Sequence, residues 1–299
     1  MNNYHSPALT SESINGLNIK PNGIYVDATF GGGGHSELIY SKLNEGFLYA
    51  FDQDEDAHVN NLKQNRFKLI KANFRHINQI LKLEGIGKID GLIADLGVSS
   101  YQFDQPSRGF SIRHDSNLDM RMNINSKITA LDVINEYNEE SLADLLFKYG
   151  DFNNSRKIAR KIVVDRKKQK IITTKDLISS VAVLFPRKKL NQNIARIFQS
   201  IRIEVNDEIN ALKDLLLSSV DLLNEGGRIV VISYHSVEDK IVKNFFKNSS
   251  FSGELQKDFF GNLKRKIKEI NKKVIVASEE QVAFNNRIRS AKLRIAEKL

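Results

Sequence analysis

The sequence predicts a doubly wound parallel α/β sheet interrupted once by an α-helical insertion. Three observations lead there. A buried strand runs straight into four glycines and a helix start. Short apolar strands then alternate with amphipathic helices as far as Leu96. The alternation stops for about 100 residues of helical pattern, too long for a loop, and then resumes.

Residues 1 to 22, with Tyr4-His5-Ser6-Pro7, read as an irregular entry segment. Ile24 to Thr29 is short, apolar and bounded by Gly23, the signature of a buried strand. Gly31 to Gly34 follow, and Ser36 is placed to cap a helix through Leu38, Ile39 and Leu43. Glycines let the backbone approach a ligand, and amides at a helix start favour an anionic group. A second strand, Phe47 to Phe51, ends in Asp52, where an acid can hold ribose hydroxyls. A helix is expected over Asp56 to Gln64, a strand over Phe67 to Lys71, and a helix carrying Ile77, Ile80 and Leu81. Ile89 to Leu96 is the fourth strand. The spacing Gly31-x-Gly33-x-x-Ser36 lacks the third glycine of the dinucleotide fingerprint, which weakens a nicotinamide or flavin reading.

The interruption divides the chain into 1–103, an inserted helical domain at 104–206, and 207–299. Residues 104 to 122 are irregular and polar. Leu142, Leu145, Leu146 and Tyr149 then fall on one helical face, as do Ile158 and Ile162, and Asp176 to Phe185 and Asn193 to Ile203 are helix-like. Afterwards Ile209, Leu212, Leu215, Leu216, Val220 and Leu223 form a core stripe that Gly226-Gly227 ends. Arg228 to Tyr234 is the fifth strand, with His235 and Ser236 at the edge where open α/β sheets bind ligands. A helix from Val237 to Phe246 comes next, then a polar, Lys-rich 248 to 272 stretch that is expected to be mobile. Lys273 to Ala277 and Lys292 to Ala296 are expected to pair as closing strands.

Composition narrows the function. Zero cysteines exclude disulfides and thiolate chemistry, and the six histidines show no H-x-x-x-H spacing, so no metal site is expected. No apolar run reaches the roughly 20 residues that span a membrane, and no signal-peptide core is visible, so a cytoplasmic location is expected. The net charge of +9 and pI near 9.4 point towards a polyanionic partner. Arg156, Lys157, Arg160, Lys161, Arg166, Lys167, Lys168 and Lys170 cluster in the insertion, and Lys264 to Lys273 make a second group. Nucleic acid is the expected partner. The helical faces suit a homodimer surface or internal core, and the sequence leaves that open.

The acid Asp27 opening the glycine turn resembles the first motif of class I S-adenosylmethionine (SAM) methyltransferases. A series of stretches is then similar to one family, the bacterial 16S rRNA (cytosine-N4)-methyltransferases, known as RsmH or MraW. They are Asp27-Ala-Thr-Phe-Gly-Gly-Gly-Gly-His35, Asp95-Leu-Gly-Val-Ser-Ser100, Arg108-Gly-Phe-Ser111 and Leu118-Asp-Met-Arg-Met122. Arg196-Ile-Phe-Gln-Ser-Ile-Arg202, Ile232-Ser-Tyr-His-Ser-Val-Glu-Asp-Lys240 and Arg287-Ile-Arg-Ser-Ala-Lys-Leu-Arg294 complete the series across nearly the whole chain.

The resemblance implies a class I SAM-dependent, Rossmann-like sheet with an inserted helical domain, methylating a cytidine in the decoding region of 16S rRNA in the small ribosomal subunit. It implies a cofactor site of Gly33, Gly34, His35, Asp52, Phe74, Asp95 and Gln102. Asp95, at the end of the fourth strand, is the candidate acceptor for the cytosine N4 proton, with Ser99, Ser100 and His235 as further polar candidates. Arg108, Arg113 and Arg121 suit phosphate contacts, with Arg202 either joining them or pairing with Glu204. Tyr101, Phe103 and Phe110 are candidates to hold an unstacked base. Three other readings compete: a NAD-linked oxidoreductase, a DNA amino-methyltransferase, and a non-catalytic RNA-binding protein on the same scaffold.

Overall fold

The computed structural model describes residues 7–251 and 265–299, which form two units, one of residues 7–97 with 209–251 and 265–299 and one of Val98–Glu208. Tyr4 to Ser6, Lys264 and most of the 248 to 272 stretch expected to be mobile lie outside the described residues.

Among the described residues, the first unit is built on a sheet of eight strands. The entry segment expected to be irregular contains a helix, α1 (Thr10–Leu17). Then come β1 (Ile24–Asp27), α2 (Gly34–Tyr40), β2 (Phe47–Asp52), β3 (Phe67–Lys71), α3 (Ile77–Leu83) and β4 (Ile89–Asp95). The helix expected over Asp56 to Gln64 is only a 3-10 segment, Glu55–Asn60, with Asp54 accepting from the Asp56 amide. Val59, Asn60 and Asn61 are poor helix formers, and Lys63 turns into the left-handed region.

Strands β1 to β4 and β5 (Leu223–Ser233) are parallel, in the order β3-β2-β1-β4-β5. The sheet continues with β8 (Lys292–Lys298), antiparallel to β5, and then β6 (Ile267–Glu269) and β7 (Ile275–Val276), both antiparallel to β8. The closing pair is therefore observed, with one further strand, β6, that its three-residue length hid. Strand β5 begins five residues earlier than its apolar run, because a register shift opposite Ile89 and Gly91 absorbs Gly226 and Gly227.

Successive residues are buried along each central strand, so both faces are covered. Val26, Leu92, Ala94, Ile229 and Val231 face one core, beneath α3, α10 (Glu208–Leu222) and α11 (Ser236–Asn248). Tyr25, Leu48, Ala50, Ile93, Val230 and Ile232 face the other, beneath Leu17 of α1 and Ile39 of α2. A capped helix, α12 (Glu279–Phe284), precedes β8.

The second unit is helical. It runs through α4 (Ser100–Asp104), α5 (Ala130–Glu136), α6 (Glu139–Gly150), α7 (Ser155–Lys168), α8 (Thr174–Ala182) and α9 (Leu190–Asn206). Capping boxes start α4, α5 and α8, each from a Ser or Thr whose hydroxyl meets the amide three residues on. No helix among the described residues is long and apolar enough to cross a membrane.

Close packing at one strand residue gives a test. A Cβ on Gly91 would lie 2.7 Å from Cε1 of Tyr25. That ring is buried, and its hydroxyl accepts the Lys20 amide at 2.6 Å, so it cannot withdraw. Gly91→Ala is expected to destabilise the protein by about 1–3 kcal/mol in urea unfolding.

Candidate active site

The strand order reverses between β1 and β4, and ligands of open α/β sheets bind beyond such a switch point. Asp27 and Asp95 are the last residues of those two strands, and Asp52 is the last of the neighbouring β2. Three carboxylates thus line one edge of the sheet.

Each acid is held differently. Asp27 is buried and accepts from the Ser36 hydroxyl at 2.7 Å and the Thr29 amide at 3.0 Å. Burial pushes its carboxyl above the usual range, against the pull of His35. Asp52 accepts the Gly31 amide at 2.8 Å and the Asp54 amide at 2.8 Å. Asp95 accepts the Tyr234 hydroxyl at 2.9 Å, and its own amide donates to the Thr29 hydroxyl at 2.6 Å. Burial raises both the Asp52 and the Asp95 carboxyl to about 6.

The glycine turn serves this arrangement. Gly31 and Gly33 adopt positive φ, and Gly33 is the N-cap of α2. Ser36 is not the cap that its position suggested: it lies inside the helix and its hydroxyl serves Asp27. The turn's amides are also less open to an anion than the glycines imply. The Gly31 amide meets the Asp52 carboxylate and the Gly33 amide meets the Phe30 carbonyl. Gly34 begins α2, where an added Cβ would meet Pro7 at 2.9 Å.

His35 is buried in the first turn of α2. Its Nε2 lies 3.0 Å from the Ala8 carbonyl, which can only accept, so Nε2 carries the hydrogen. Nδ1 then faces Asp95 Oδ2 at 3.8 Å. Phe74 starts a 3-10 turn just beyond β3 and is half-buried against the core beneath α3. Beside it, Asn73 donates to Gln53 at 2.9 Å, tying together the ends of β3 and β2. Tyr234, absent from the residues singled out in the sequence, joins the group through Asp95. Its place after the fifth strand, one residue before His235, was the available signal.

The other candidates divide less favourably. Gln102, in the helical unit, is buried, and its side-chain oxygen accepts the Ser99 amide at 3.1 Å in the capping box of α4. Arg108 is buried and donates to the carbonyls of Arg121 and Met122. Arg121 is paired with Asp119 through two hydrogen bonds and also donates to the Ser126 carbonyl. Arg202 pairs with Glu208 at 2.8 and 2.9 Å, and Glu204 accepts the Tyr137 hydroxyl. These three arginines hold loops and helix ends of their own unit, so the expectation that they reach phosphate is revised. Of the four arginines proposed for substrate, Arg113 is the exposed one; its guanidinium lies 5.9 Å from the Phe103 ring centre. His235 is a buried helix cap: Nδ1 accepts the Glu238 amide and Nε2 lies 3.1 Å from Glu238 Oε1. Phe110 is buried packing, whereas Tyr101 and Phe103 are half-buried.

A Rossmann-like sheet with a reversed edge, a glycine turn after β1 and acids ending β1, β2 and β4 defines a class I methyltransferase. The chain belongs to the MraW methylase family, whose model matches residues 2–299. Ribosomal RNA small subunit methyltransferase H of Flavobacterium psychrophilum is 52% identical over 291 residues, spanning 97% of this chain and all of that protein. The proteins of that name from Phocaeicola vulgatus and Christiangramia forsetii are each 50% identical over 99% of this chain, spanning 97% and 98% of their own lengths.

The raised carboxyls give a pH test. An acid that holds its proton more tightly in the folded state weakens the fold as pH rises from its unfolded value, about 3.9, to its folded one. Asp95→Asn removes that charge. In urea unfolding without ligand, it is expected to gain on the native protein by on the order of 1–2 kcal/mol between about pH 4 and pH 7.

Proposed function

We propose that this protein transfers the methyl group of SAM to the exocyclic N4 of a cytidine in the decoding region of 16S rRNA, in the cytoplasm. The observation that carries the reading is half identity over almost the whole chain to proteins named for small-subunit rRNA methylation. The donor set supports it independently. Acids at three neighbouring strand ends suit a ligand that offers an ammonium, a sulfonium charge and ribose hydroxyls. They oppose the pyrophosphate of a dinucleotide, and the amide of Gly31 is already engaged by Asp52. The NAD-linked reading is thereby disfavoured.

SAM supplies an activated methyl on sulfur when bound. The residues supply placement and hydrogen-bond acceptors. The cytosine amino group is a poor nucleophile because its lone pair is delocalised into the ring, so alignment and an acceptor for its proton dominate the rate gain. We assign that proton to Asp95, whose side chain remains 21% exposed. Asp52 keeps lone pairs for ribose hydroxyls beside its two amide bonds. Gly33, Gly34 and His35 shape the turn on the methionine side. Phe74 and Gln102 keep the cofactor assignments that the family resemblance gives them.

For RNA, we assign the outward side of α7. Ile158, Ala159 and Ile162 face the core of the helical unit, while Arg156, Lys157, Arg160, Lys167 and Lys168 are exposed. Lys161 is paired with Asp165, and Arg166 donates to the carbonyls of Ile134 and Tyr137. Arg113 adds a phosphate contact, and Tyr101 or Phe103 a surface for a base turned out of its stack.

Mass mapping of small-subunit rRNA from cells with and without this protein is expected to show loss of one N4-methylcytidine. Labelled-methyl transfer to DNA instead of RNA would favour the DNA enzyme. Arg156→Ala, Arg160→Ala and Lys167→Ala combined are expected to weaken RNA binding. The slope against log salt should fall by about 0.7–0.9 per lost contact, with calorimetric SAM affinity preserved.

A further inference from the structure

We infer that Tyr234 is a positioning residue for methyl transfer, its hydroxyl orienting the Asp95 carboxylate and holding it ready to accept a proton. This rests on the assignment of Asp95 as acceptor and adds the group that makes it competent.

Among the described residues, the Tyr234 hydroxyl is the one side-chain donor to that carboxylate, at 2.9 Å on Oδ1. On the other side, His35 Nδ1 lies 3.8 Å from Oδ2, beyond hydrogen-bond reach, because its ring is anchored through Nε2 to Ala8. Oδ1 is therefore engaged by the phenol, and Oδ2 is left to meet an incoming proton. The phenol itself is fixed. The Tyr234 backbone amide donates to Glu238 Oε2 at 3.0 Å, at the start of α11. Its ring lies against Gly97, whose φ of +103° only glycine adopts readily; a Cβ there would sit 3.5 Å from the ring.

Among the described residues, the groups that act on Asp95 from the elements around it include Asp27 of β1, His35 of α2, Tyr234 after β5 and Glu238 of α11. Asp27 and Glu238 oppose ionisation; His35 and the Tyr234 hydrogen bond favour it. A bond that exists to the charged form lowers the carboxyl's proton affinity, so its removal raises that affinity. An acceptor carboxylate works above its pKa and fails below it, so loss of the hydroxyl moves the acidic limb of the rate profile upward.

The test is the pH dependence of kcat for labelled-methyl transfer to small ribosomal subunits with SAM saturating. Tyr234→Phe is expected to move the acidic limb up by about one pH unit. The rate should fall most in mildly acidic buffer and less in alkaline buffer, with SAM affinity in alkaline buffer unchanged. A fluorinated tyrosine at position 234, whose phenol is the stronger donor, should move the limb the opposite way. Carbon-13 titration of the Asp95 carboxyl in the same proteins should follow both shifts without reference to turnover. If Asp95→Asn abolishes transfer while Tyr234→Phe leaves limb and titration unmoved, the inference about Tyr234 is overturned and the role of Asp95 stands. If Asp95→Asn transfers methyl groups normally, the Asp95 assignment fails and this inference with it.

Discussion

Three carboxylates can end neighbouring parallel strands only if each is given hydrogen bonds to replace the water it loses, and this requirement shapes the methyltransferase unit. Burying an unpartnered carboxylate is prohibitively unfavourable. Here one acid takes a serine hydroxyl and an amide, the next takes two amides, and the last takes a phenol. Thr29 links two of the strand ends, because its amide serves Asp27 while its hydroxyl accepts from the amide of Asp95. The left-handed glycines follow from the same need, since they aim the Gly31 amide at Asp52 while α2 starts close behind. The raised carboxyls are the residue of desolvation that these bonds do not cancel.

The sequence made the frame of the sheet readable because burial on both faces leaves apolar runs between turn residues. The strand, glycine turn and acid at Asp52 were visible for that reason, and so was the break before the helices. What stayed hidden depended on partners distant in sequence. Arg108, Arg121 and Arg202 look alike on paper, yet a guanidinium that caps carbonyls and one that meets phosphate differ only in tertiary surroundings. Ser36 had the right type and place for a cap, but the acid nine residues earlier drew its hydroxyl inward. Tyr234 carried no signal beyond its position and its place in one family-like stretch, because an aromatic at a strand end is ordinary packing until its hydroxyl is seen to meet an acid.

The helical unit sorts its basic residues in the same way. On α7 the apolar face at Ile158 and Ile162 fixes which positions point outward. The intervening charges are then divided between internal bonds and solvent. Asp165 gathers Lys161 and the Ser180 hydroxyl, joining α7 to α8. Net charge alone therefore overstates the cations open to a polyanion, and helical phase determines which remain.

The antiparallel pairing of β8 with β5 has a consequence during synthesis. Ser233 and Lys292, paired across those strands, are 59 residues apart. At about 5–20 residues per second, a nascent chain displays the outer edge of β5 for several seconds before its partner exists. That edge carries Ile229, Val230, Val231 and Ile232, an unguarded template for pairing with another nascent chain. Expression yield should therefore respond to slow codons between those strands and to holdase chaperones in a way that the stability of the finished molecule does not reveal.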